Sequence, residues 1–137
     1  MMQIAVRYYT KSGNTERLAR AVAEAAGARA QDISNPLEEK AELLFLCCSY
    51  YAFDMDPAVK EFLKANQDKI GKIVCFGTSA MMKSMVKPMK RAAKPLGIEV
   101  HPEDFHCRGE FKAFHKGHPD IDDLEKAKAF VHKFLKA

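Results

Sequence analysis

No stretch of this sequence approaches the roughly 20 consecutive apolar residues that a membrane-spanning helix needs. The apolar run near the N-terminus is short, carries Arg7 and passes straight into a polar turn, which is not the build of a secretory signal. Both absences point to a soluble cytoplasmic protein. Cysteine is limited to four residues, with no C-x2-C pair; His115 and His118 form an H-x2-H without a matching cysteine pair, so nothing argues for zinc. Cys47, Cys48 and Cys75 lie inside apolar runs and Cys107 lies near the end of another, which reads as reduced core thiols. The well-marked phosphate loops are missing too. There is no G-x4-G-K-[ST] and no G-x-G-x2-G, which disfavours nucleoside triphosphate and dinucleotide loops. No cysteine is followed six residues later by arginine, so a thiol phosphatase loop is out, and the paired acids that a phospho-receiver places after its first strand are replaced by hydroxyls. Repeats, low-complexity tracts and linkers are also absent, and no catalytic triad is legible among the five histidines.

What is present is alternation. The 137 residues suit one domain, spanning 1–137, with enough length to bury a core without staples. Residues 3–9 read as a strand, and 15–26 as a helix with Leu18, Val22, Ala25 and Ala26 at helical spacing and Gly27 as its stop. Ala28 to Ile33 reads as a weaker second strand, broken by Ser34-Asn35-Pro36. Leu43 to Cys48 and Ile73 to Thr78 are nearly all apolar, the pattern of parallel strands covered on both faces. Asp56-Pro57 starts a helix whose apolar face is Val59, Phe62 and Leu63. Met82 to Leu96 reads as a helix that Pro88 kinks or restarts; Ile98 begins a fifth strand with room to run to Phe105. Asp120 caps a last helix with the stripe Leu124, Ala127, Phe130, Val131, Phe134 and Leu135. Strands alternating with helices predict an α/β, three-layer, doubly wound, five-stranded parallel sheet of order 2-1-3-4-5, with ligands bound beyond the carboxyl ends of the strands between strands 1 and 3.

Thr10-Lys11-Ser12-Gly13-Asn14-Thr15 sits at that place, at the seam between the first strand and the first helix. A helix start offers unpaired N–H groups and about half a positive charge, which together favour a phosphate. Gly13 permits close backbone approach; Thr10, Ser12, Asn14 and Thr15 supply short neutral donors, and Lys11 either adds charge or points to water. The plainer alternative is that Ser12 or Asn14 only caps the helix.

The run Val6 to Val22 resembles the flavodoxin signature in its Thr-x-x-Gly-x-Thr core, the alanine that follows and the aliphatic position; Arg7 departs, standing where an aliphatic or aromatic residue is usual. Cys48 to Leu63 is similar to the family's second loop, Phe76 to Ala80 to its third, and Phe105 to Phe111 with Gly117-His118-Pro119 to the C-terminal region of small flavodoxin-like proteins. The resemblance implies a flavodoxin-like electron-transfer protein that binds FMN. Thr10, Lys11, Ser12, Gly13, Asn14 and Thr15 would take the 5′-phosphate, and Ser49 and Thr78 would sit near the ribityl chain and ring edge. The ring would lie between the second loop, Tyr50, Tyr51, Ala52 and Phe53, and the third, Ser79 and Ala80 onward, with aromatic stacking supplying apolar area. The chain has no tryptophan, and Ala52 stands where many relatives place one, so Tyr51 or Phe53 would stack; the aromatics equally suit packing under a long loop.

Two alternatives stay open: an FMN-dependent NAD(P)H oxidoreductase acting on a small acceptor, and a binding module of the same fold without flavin. Arg7 either pairs with a carboxylate such as Asp32 or reaches the rim of the site. Family members that carry electrons are generally acidic, whereas here Lys83, Lys87, Lys90, Arg91 and Lys94 run with no acid between Met81 and Ile98. That run is either a solvated helix face or a docking patch for an acidic redox partner. Net charge is only +4 and no binding motif is present, which argues against nucleic acid.

Overall fold

A computed structural model describes residues 3–10, 14–49, 56–78, 84–107 and 120–135. Among these residues, six strands and four α-helices follow in the order β1 Ile4–Tyr9, α1 Asn14–Ala26, β2 Ala30–Asp32, β3 Ala41–Ser49, α2 Pro57–Ala65, β4 Ile70–Thr78, α3 Val86–Ala93, β5 Glu99–Val100, β6 Phe105–Cys107 and α4 Ile121–Leu135. All pairs are parallel and the sheet order is β2-β1-β3-β4-β5, with β6 also on β4. The expected fifth ladder is therefore made in two pieces. Lys72 and Ile73 face Glu99 and Val100, whereas Phe76 faces Phe105, so the edge chain carries four residues, His101 to Asp104, against two on β4. Pro102 lacks the N–H a continuous ladder would need, and the extra residues bulge outward.

Alternation along each strand divides the core into two layers. Leu44, Leu46, Cys48, Ile73 and Cys75 face α2 and α3, where they meet Val59, Phe62, Leu63 and Met89. Val6, Phe45, Cys47, Val74 and Phe76 face α1 and α4, where they meet Leu18, Val22, Ala127 and Val131. Phe76 stacks edge-on with Phe45 and Phe130, at ring separations of 5.5 Å each, which supports the second layer. Leu135, read as part of the α4 stripe, is 40% exposed, because the stripe turns off the sheet in the last turn.

The helix ends follow local chemistry. Asp56 accepts from Ala58 N–H at 2.9 Å with Pro57 at the first helical position. Asp120 and Asp123 close a reciprocal cap, each carboxylate accepting from the other's backbone N–H at 2.9 Å. α1 ends at Gly27, whose φ of 70° suits glycine, and Ala28 N–H reaches back to the Ala23 carbonyl at 3.0 Å. Pro88 produces no kink. It is the third residue of α3, where its missing N–H removes no intrahelical bond, so it helps set where the helix begins.

Among the described residues Arg7 is the one buried charge, and it neither pairs with Asp32 nor reaches the rim. Its guanidinium donates to the backbone carbonyls of Asn35 at 2.9 Å, Val6 at 3.0 Å and Pro36 at 3.1 Å. The residue is buried and ties the turn after β2 to β1; burial lowers its pKa, partly offset by Glu38. No helix of the described residues is long and apolar enough to cross a membrane.

Candidate functional site

Parallel pairing brings the carboxyl ends of β1, β3, β4 and β6 to one edge. Tyr9, Cys48, Gly77 and His106 share a rung, and Ser49, Thr78 and Cys107 share the next. Thr10 follows directly after the end of β1. Of the expected site residues, Ser49 and Thr78 lie 29 positions apart in sequence, and the register places them on one rung, with Thr10 just past the end of β1.

α1 starts at Asn14, four residues beyond Thr10, so its first turn stands over this edge at the crossing between β1 and β3. The helix is held there by Thr15. Its side chain is fully buried, and its hydroxyl lies 2.9 Å from that of Thr78, itself 2% exposed. This bond spans 63 residues of chain and fixes the first turn of α1 to the last residue of β4. A hydroxyl pair suits the place because each oxygen can donate and accept. Lys11, Ser12, Gly13, Tyr50, Tyr51, Ala52, Phe53, Ser79 and Ala80 lie outside the described residues.

Asp104 went unremarked in the sequence. Its carboxylate accepts from Ser84 Oγ at 3.1 Å and from Met85 N–H at 3.2 Å, joining the start of α3 to the bulge ahead of β6. Met85 is fully buried, and a Cβ built on Gly77 would lie 2.5 Å from its sulfur. Gly77 thus leaves the room in which Met85 packs onto β4. No sequence spacing marks Asp104, since its partners lie about twenty positions away and only the bulge brings them together.

Tyr8 leans toward α1; burial first, and then the nearby Glu16 and Asp32 carboxylates, raise its pKa, so the phenol stays neutral. The four cysteines are free thiols and all are buried. Burial pushes Cys75 and Cys107 up to about 12 and Cys48 higher. Protonated thiols are poor nucleophiles and poor ligands, so the sulfur near this edge is packing material. What the described residues place at this edge is the first turn of α1, held by the buried pair of Thr15 and Thr78.

No family model matches the chain. It is similar to a protein of Methanocaldococcus jannaschii described as uncharacterized, 29% identical over 136 residues that cover 90% of this chain and 91% of that one. A solved flavodoxin from the domain Archaea superposes with a TM-score of 0.74 at 18% identity, over 96% of this chain and 95% of its own. The flavodoxin of Fusobacterium nucleatum, solved bound to flavin mononucleotide, gives 0.68 at 14% identity, over 99% and 98%. At such identities the likeness is one of architecture, and it is unambiguous: the chain has the flavodoxin-like fold.

Proposed function

We propose that the chain binds FMN at the carboxyl edge of its sheet and carries electrons between partner proteins. The observation that carries this reading is the junction of β1 and α1. A thirteen-residue helix begins directly beyond the carboxyl end of a central strand, at the switch point of the sheet, and a buried hydroxyl pair holds it there. That the F. nucleatum protein of the same fold was solved with FMN supports the choice of ligand.

The donor set fits a phosphate monoester. Thr10 and the backbone N–H groups opening α1 would donate to the doubly negative head, with Ser12, Gly13 and Asn14 in the same turn and Lys11 adding positive charge. Thr15 would offer its N–H, while its hydroxyl stays with Thr78 and keeps the turn in place. Ser49, Tyr50, Tyr51, Ala52 and Phe53 would line one side of the ring and ribityl chain, and Thr78, Ser79 and Ala80 the other. Bound flavin supplies the electron-transfer chemistry; the chain supplies binding, orientation and electrostatics.

The test is a visible-absorption titration of the purified protein with FMN and, separately, with riboflavin. FMN is expected to bind and perturb its spectrum, and riboflavin, lacking the phosphate, to bind at least about a hundredfold more weakly, since charge-assisted hydrogen bonds to a dianion are strong. Equal affinity for the two would refute the phosphate assignment, and binding of neither would refute the flavin reading. Bound FMN that oxidises NADPH rapidly without a protein partner would replace the carrier role by the oxidoreductase one.

A further inference from the structure

We propose that the face formed by α2 and α3 docks an acidic segment of a partner protein, which seats an apolar side chain in the groove between the two helices.

The molecule's charge is unevenly placed. α1 and α4 carry acids and bases in equal number, and most of these are paired: Arg20 with Glu16, Lys126 with Asp122, Lys128 with both Glu24 and Glu125, and Lys133 with Glu103. On the opposite face, α2, α3 and the residue capping α3 present Lys60, Lys64, Lys87, Lys90, Arg91 and Lys94 against the single acid Glu61. All six cations are exposed. Among the described residues Lys64, Lys87, Lys90 and Lys94 make no ion pair. Lys87, Lys90, Arg91 and Lys94 follow one another at helical spacing, so they form one stripe along α3. Lys83, which continues the run in sequence, lies outside the described residues.

Between the helices runs a groove of about 470 Å³. Lys60, Lys64 and Arg91 edge it together with the single acid Glu61, and Pro88, Ala92 and Leu96 give it an apolar floor. A cationic rim around an apolar floor complements an acidic segment that carries an aliphatic or aromatic side chain. The rim would steer the encounter and the floor would hold the anchor. Nucleic acid fits less well, because the floor offers no aromatic surface on which bases could stack. The proposal stands on charge and shape alone and does not rest on the flavin reading.

The test uses a fluorescein-labelled amphipathic peptide of Glu and Leu, followed by anisotropy against the protein as purified, at low and physiological salt. Binding is expected, weakening as salt rises. K87E with R91E should weaken it at least about tenfold. Ala92→Trp, which fills the groove without changing charge, should weaken it at least about threefold. K126E, on the exposed and paired α4 face, should leave it unchanged. Circular dichroism confirms the fold of each variant, and K64Q with K87Q replaces any charge reversal that unfolds. The proposal is overturned if K126E weakens binding as much as K87E with R91E, or if Ala92→Trp has no effect. It is also overturned if duplex DNA or phosphatidylserine vesicles bind more tightly than the peptide through the same lysines.

Discussion

At the scale of the residue, Arg7 shows how a charge becomes tolerable inside a sheet. The guanidinium presents five N–H donors in a rigid fork, and three backbone carbonyls take up its directions. Lysine has a single head and cannot meet two of them across the same spread. Arg7→Ala is expected to cost about 2 kcal/mol, because the carbonyls of Asn35 and Pro36 lose their donor, and Arg7→Lys to recover only part; urea unfolding reads both. The thiols give a second residue-scale expectation. Burial raises Cys75 and Cys107 from 9.0 to about 12, so the folded protein keeps protons that the unfolded chain releases. Their stabilising effect is complete below about pH 9 and is lost as pH rises toward 12. Each such group changes the pH dependence by about 1.4 kcal/mol per unit. Cys75→Ala should therefore flatten the fall in stability between pH 9 and 12, a slope measurable by denaturant titration at stepped pH.

At the scale of the element, the position of α1 depends on a contact its own sequence cannot make. Its amphipathic spacing packs it on the sheet, but the buried hydroxyl pair with Thr78 sets where its first turn stops. Thr15→Val keeps the shape and removes the bond. It is expected to cost about 1–3 kcal/mol, and Thr15→Val with Thr78→Val to cost less than the sum of the single changes, a coupling of about 1 kcal/mol in a double-mutant cycle read by thermal or urea unfolding. The divided edge strand belongs at this scale too. His101 N–H still reaches the Ile73 carbonyl at 2.8 Å before the chain bulges. Glu103 then meets Lys133 at 3.0 Å, and the His101 ring stands 4.9 Å from that of Phe134, so α4 covers the interruption.

At the scale of the whole molecule, a ligand that binds only the folded form stabilises it by mass action. FMN at a hundredfold its Kd should add about 2.7 kcal/mol and raise the thermal midpoint. Riboflavin at the same concentration should leave the midpoint near that of the free protein. Differential scanning fluorimetry separates the two, and identical midpoints would count against a phosphate grip at the β1–α1 junction.

The strand and helix order was legible in the sequence because it rests on local signals: apolar runs, helical spacing, Gly27 as a stop, and the acids ahead of α2 and α4. The start of α1 was legible for the same reason, since the polar residues and glycine after β1 are types that begin a helix. The partners of Arg7, the bond between Thr15 and Thr78, the hold of Asp104 on Met85 and the bulge in the edge strand were not legible. Apart from the contact of Arg7 with its neighbour Val6, each joins groups between 19 and 63 positions apart, or depends on how one strand registers against another. Hydrophobic pattern and turn chemistry act over a few residues and so determine which segments are strands and helices. Register and packing act between segments, and only the folded sheet decided which hydroxyls meet at its carboxyl edge and which helices share a face rich in positive charge.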